Sequence, residues 1–172
     1  MLITGILNAC GSVGNNILPI ASPDTGTDDA PPSATLEING DVQTAGMGSS
    51  CWSTKTELGE TVDICVDKIG LPTVEEPIIT ASPVNARLVI AWKDPPKQLE
   101  LSVFQATARN EINTETNKFR YWTPSEGIHR ELAPQTRQDI TIELEPGLYV
   151  FYIFGVWESK GDASYGFLVE VN

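Results

Sequence analysis

The chain has 172 residues, yet only one histidine, three cysteines and 11 Lys and Arg against 23 Asp and Glu. Each shortage excludes something. A formal net charge of −12 with no basic cluster leaves nothing to neutralise a phosphate backbone, so a nucleic-acid partner is excluded. Electrostatic docking onto anionic lipid is excluded on the same ground. The acidity itself reads as a solubility feature. A lone histidine cannot build the usual metal site of two or three histidines. No run of 18 apolar residues occurs, so no helix of this chain is expected to cross a bilayer. Nor does any stretch carry the periodicity of a strongly amphipathic helix.

Chemistry is equally thin. His129 stands in "EGIHREL" beside Glu126, Arg130 and Glu131, and Ser125 is near in sequence, at a spacing that implies no triad. His129 is expected on a loop or strand surface. "NACGSVGNN" carries G-x-x-G, with no strand before it and no lysine after it, so it is not a phosphate loop. Glu75–Glu76 and Glu143–Glu145 fit turns and exposed strand faces, and a glycosidase-like pair would depend on a separation that only the fold sets. Asp67 and Asp162 are loop carboxylates of the kind calcium uses, outside any EF-hand spacing. Neither a catalytic residue, a metal nor a cofactor is expected.

What is present is a period of two. "TLEIN" alternates Leu36 and Ile38 with Thr35 and Glu37, and "TVDICV" sets Val62, Ile64 and Val66 on one face. "ARLVIAW", "QLELSVF" and "DITIEL" repeat the device with Leu88, Ile90 and Trp92, with Leu99, Leu101 and Val103, and with Ile140, Ile142 and Leu144. "EPGLYVFYIFGVWES" is apolar on both faces, which marks a central strand. After "KGD", "ASYGFLVEVN" returns with Phe167, Val169 and Val171 inward, a hairpin. The fold class is therefore all-β, a two-sheet antiparallel sandwich over residues 34–172. The order "DITIEL", "EPGLYVF", "YGFLVEV" resembles the last three strands of immunoglobulin-like or fibronectin-III-like modules. Tyr149 falls at the tyrosine-corner position of those folds. The paired immunoglobulin cysteines are missing from the matching strands, so the likeness is one of architecture. "NEINTETNK" reads as a polar loop, with "KFRYW" a strand after it.

Residues 11–33 differ from the rest: rich in Gly, Ser, Pro, Asn and Asp, without Lys or Arg, they read as a flexible tether. Asp24, Asp28 and Asp29 are taken as its solvated charges. Ahead of it, Leu2, Ile3, Ile6 and Leu7 lead into "LNAC" and Cys10, followed by Gly11 and Ser12. This resembles the lipobox of bacterial lipoproteins, in which a cysteine at the cut site takes a diacylglyceryl group by thioether formation. The resemblance implies lipidation of Cys10, with residues 1–9 the remnant of a signal peptide that lacks its basic n-region. Stable anchoring needs more than one acyl chain. The expected location is extracytoplasmic, on a bacterial membrane.

An oxidising compartment then bears on Cys51 and Cys65. Their spacing, C-x13-C, fits neither a redox C-x-x-C pair nor a zinc site, and leftover cysteines there most often pair. A disulfide is expected, two free buried thiols or a labile regulatory pair being the alternatives, with Trp52 packed on it. "GSSCW", "CVDK" and "GDASYGFLVEV" together resemble small bacterial envelope lipoproteins of unassigned function, a likeness covering roughly residues 46–70 and 146–171. It implies an address and a disulfide, and no reaction. The aromatics beside Arg120, namely Tyr121 and Trp122, together with Trp52, Trp157 and Tyr165, are the candidate binding residues. The function expected is a lipid-anchored binding or structural module, its partner a protein or glycan of the envelope. The alternative is an inhibitor or sensor-type accessory using the 51–65 loop, and a carboxylate-dependent hydrolase comes third.

Overall fold

The period-two runs do become strands. A computed structural model describes residues 29–68, 76–106, 112–113, 118–119 and 127–172, and within them all regular structure is β. In chain order the strands are β1 (Ala34–Ile38), β2 (Asp41–Thr44), β3 (Gly46–Lys55), β4 (Thr61–Val66), β5 (Ile78–Thr80), β6 (Val84–Ile90) and β7 (Gln98–Ala106). They continue as β8 (Ile112–Asn113), β9 (Lys118–Phe119), β10 (Ile128–Leu132), β11 (Arg137–Ile142), β12 (Gly147–Trp157) and β13 (Gly161–Val171). One sheet runs β11-β6-β1-β2 and the other β10-β7-β12-β13-β3-β4, with β5 added parallel to the end of β13; β8 and β9 pair with each other. The two larger sheets form a β-sandwich.

Alternation decides which side chains fill it. Leu36, Ile38, Leu88, Ile90, Ile140 and Ile142 of the four-stranded sheet share one core with Leu99, Leu101, Phe151, Ile153, Phe167 and Val169 of the larger sheet. Each such side chain withdrawn from water contributes about 1.5–3 kcal/mol. The other face of β12 carries a smaller cluster, in which Val150 packs with Phe104, Leu148 and Leu168. The doubly apolar pattern of that strand therefore has two separate causes.

Strands β12 and β13 pair along their whole length, Gly147 opposite Val171 through Trp157 opposite Gly161. The turn between them is Glu158–Lys160, with Ser159 at φ 61° and Gly161 at φ 122°. A Cβ at Gly161 would collide with the carbonyl oxygen of Cys51, so glycine is what lets β13 lie against β3. Further along β13, its pairing with β3 stops at Gly166, opposite Gly46, and β5 begins opposite Val169. The Gln43 side chain fills the gap between them. The Leu168 amide donates to its Oε1 (2.8 Å), and its Nε2 donates to the Leu168 carbonyl (3.3 Å) and to that of Glu76 (2.7 Å). One primary amide thus supplies the donor and acceptor a missing strand residue would have given.

Two tyrosines fix the ends of the sandwich. The Tyr149 hydroxyl donates to the carbonyl of Glu145 at 2.8 Å, the tyrosine-corner bond. Its hydroxyl is pushed above the ordinary tyrosine pKa by burial and then by the charge of Glu145. The fully buried Tyr165 hydroxyl donates to the carbonyl of Pro32 at 2.8 Å. Asp29 accepts from the Thr54 hydroxyl at 2.7 Å, and the Ser33 carbonyl accepts from the amide of Ala91. Residues 29–33 are therefore hydrogen-bonded into the sandwich. Low hydrophobicity does not reveal this, because their contribution is acceptors and not apolar surface.

The indole of Trp157 occupies the space that Gly155 leaves open. A Cβ there would stand 2.6 Å from the ring of Trp157 and 3.4 Å from Leu99 Cδ1. Trp157 is buried and has nowhere to move. Gly155→Ala is expected to cost about 1–3 kcal/mol in urea denaturation; wild-type stability in that variant would show that the indole is not held over Gly155.

Candidate functional site

Cys51 and Cys65 are bonded to each other. They stand directly opposite in the β3–β4 ladder with Cα atoms 4.0 Å apart, and the pair lies on the outer face of the sheet. Trp52 does not pack on it. Successive side chains of a strand point to opposite faces, so the residue next to an outward cysteine must point inward. There Trp52 meets Trp92 edge to face at 5.4 Å and Trp157 at 5.6 Å. Such pairs add about 0.5–1.5 kcal/mol beyond their buried area. The ammonium groups of Lys93 and Lys160 lie 5.7 and 6.0 Å from the ring centroid of Trp92.

The expected aromatic binding patch is not what Trp52, Trp157 and Tyr165 form. All three are buried core residues. Each shares the inward parity of its strand, and the two-sheet packing then covers it. Trp157 Nε1–H has no acceptor among the described residues. Burial pushes the Tyr165 hydroxyl far above the usual tyrosine range, which suits a permanent donor to Pro32. Cys10, Arg120, Tyr121 and Trp122 lie outside the described residues, as does Ser125.

The exposed feature is the hairpin that the disulfide closes. Every residue of β4 is exposed. Val62, Ile64 and Val66 stand opposite Thr54, Trp52 and Ser50, on the core-facing side of the sheet, yet are 44%, 54% and 45% exposed. The face was legible in the alternation of "TVDICV"; that it overhangs the four-stranded sheet was not. At the tip, the amide of Thr56 donates to the carbonyl of Glu60 and that of Gly59 to the carbonyl of Thr56, closing a tight loop. This turn holds out Leu58, which is 88% exposed and follows exposed Glu57, with exposed Lys55 at the end of β3. On the outer face Ser53 donates to Asp63, and Ser49 donates to Asp67 at 3.2 Å. The hairpin is a disulfide-stapled arm with an aliphatic surface.

A second surface lies on β7 and β10. Ser102 Oγ and His129 Nδ1 are 2.8 Å apart, a cross-strand pair, and His129 leans on Phe104 with ring centroids 5.6 Å apart. Together with Glu100 and Glu131, which stand opposite each other, they line an open concavity of about 250 Å³. Gln98 donates to Glu100 at 2.6 Å. A serine beside an imidazole has the first requirement of an activated nucleophile. An oxyanion formed there would face two carboxylates, the opposite of what such a reaction needs, and the guanidinium of Arg130, which also lines the concavity, is engaged by the Thr141 carbonyl. The partner of His129 is Ser102 from a distant strand, which proximity in sequence did not indicate. Among the described residues no three His, Cys, Asp or Glu side chains are grouped to hold a metal ion, and no helix is long and apolar enough to cross a membrane.

Comparison with known proteins finds no matching family model, no matching curated protein and no matching solved structure. What can be said of activity therefore rests on the hairpin and the concavity themselves. The core and the arm should separate in mutagenesis. Trp52→Ala is expected to cost about 3–5 kcal/mol in urea denaturation, whereas Leu58→Ala should stay within about 0.5 kcal/mol of wild type. A large loss at Leu58 would mean that the tip is packed in solution.

Proposed function

We propose that this chain is a non-catalytic interaction module held outside the cytoplasm by a lipid on Cys10, and that it engages its partner through the β3–β4 hairpin. The observation that carries the reading is the disulfide-stapled, solvent-exposed aliphatic arm. Ordering a residue costs about 1–2 kcal/mol of backbone entropy, and β4, exposed throughout, recovers little of that by burial. Its order rests on one ladder and a covalent bridge. Contiguous exposed apolar surface of this kind marks interaction sites in soluble domains.

The chemistry of the arm favours one partner class over the other. Leu58, Val62, Ile64 and Val66 are aliphatic, and sugars are held mainly by stacking on aromatic faces. A protein of the envelope is thus the better match than a glycan. The bridge also bears on the address, since disulfides persist in oxidising compartments. Lipobox-like "LNAC" and the disulfide are separate features that agree on export.

The exposed tip favours a second reading, an inhibitor or sensor-type accessory that inserts Leu58 into a cleft of its target. Both readings share the anchor. In cells expressing the chain with its full native start, the wild type should fractionate with membranes and Cys10→Ser should become soluble. Unchanged membrane association of the variant would overturn the lipid anchor.

A further inference from the structure

We infer that β4 pairs with the β4 of a second copy of this chain, antiparallel and edge to edge, about a two-fold axis at Ile64. This rests on the reading of the hairpin as an interaction element and names one of its partners.

Among the described residues β4 has a single strand neighbour, β3, so one edge of its backbone is open. Natural sheets blunt such edges with lysine, proline, bulges or covering chain. Among the described residues no chain covers β4, "TVDICV" contains no lysine or proline and a single charge, Asp63, and its ladder runs from Thr61 to Val66 without a register shift. The chain beyond Val66 stays on β3, where the Lys68 amide donates to Ser49 Oγ (2.9 Å) and Lys68 Nζ to the Met47 carbonyl (2.8 Å). The opposite edge of the same sheet is defended. There β10 carries His129, Arg130 and Glu131, and Arg130 Nη1 donates across to the Thr141 carbonyl at 3.0 Å.

The strand is also self-complementary in one register. Antiparallel pairing that keeps the apolar faces together must place residues of the same parity opposite each other. Centred on Ile64, it sets Ile64 against its counterpart and Val62 against Val66, twice over. On the other face Asp63 meets Cys65, and Thr61 meets Asp67. Moving the axis to Asp63 opposes two aspartates, and moving it to Cys65 opposes Asp63 and Asp67; like charges directly opposite are unfavourable. Moving it to Val62 sets Ile64 against Glu60. Only the Ile64 register joins the aliphatic side chains of both copies and opposes no like charges. The contact is isologous, and therefore closes at a dimer.

The test uses the full chain carrying Cys10→Ser, so that lipid plays no part, in sedimentation equilibrium. We expect a dimer with a micromolar dissociation constant. Ile64→Lys and Ile64→Glu each bring like charges together at the axis and should weaken it about tenfold or more, while an equimolar mixture of the two should restore a heterodimer. Ile64 is 54% exposed, so both variants keep the fold, which circular dichroism checks. A monomer at high micromolar concentration, variants that dimerise like the parent, or a mixture that stays monomeric would each overturn the pairing. The outcome is independent of the anchor, which is scored by fractionation. A monomer that still engages a foreign partner through Leu58 would remove the dimer and leave the hairpin reading in place.

Discussion

The full-length pairing of β12 with β13 is the constraint on which the rest of this structure depends. These two strands carry Tyr149, Phe151, Ile153, Trp157, Tyr165, Phe167 and Val169 into the core. Their outer edges then receive β7 on one side and β3 with β5 on the other. The Tyr165 hydroxyl draws in the chain at Pro32, and the indole of Trp157 organises Trp52 against Trp92. Without this ladder neither the larger sheet nor the footing of the β3–β4 arm would exist. Its own geometry hangs on a few backbone positions, above all Gly161, where a side chain would strike β3.

From that footing the arm extends beyond the cover of the second sheet. β3 is anchored by Trp52 on the inside, whereas among the described residues β4 is attached through β3 and the bridge from Cys65 to Cys51. A buried strand is held by its side chains; this one is held by its backbone and a covalent bond. The arrangement exposes aliphatic residues without letting them collapse onto the domain. It is the property an interaction element requires, and it explains why the cysteines lie on the outer face, away from the aromatic core they were expected to support.

Much of the architecture was legible because alternation is a local signal. The inward sets of β1, β6, β7, β11, β12 and β13 all follow from their periodicity, and Tyr149 from its place at the start of the "EPGLYVF" strand. Site residues were harder, since exposure is decided by the opposite sheet. Trp52, Trp157 and Tyr165 carry the composition of a binding patch but lie under the four-stranded sheet, while Ile64, with the composition of a core residue, lies beyond it. The pairing of Ser102 with His129, and the way Gln43 completes the edge of β13, join residues far apart in sequence. Such contacts leave no periodic trace.

The disulfide serves the arm, and the β12–β13 ladder serves the domain. Native-state hydrogen exchange of the full chain, with the bridge intact and after reduction, tests this division most directly. Reduction should accelerate exchange in β4 and the 56–60 turn, while the amides of β12 and β13 keep their protection. A loss of protection spread evenly over both sheets would contradict it, and would make the bridge a support of the core.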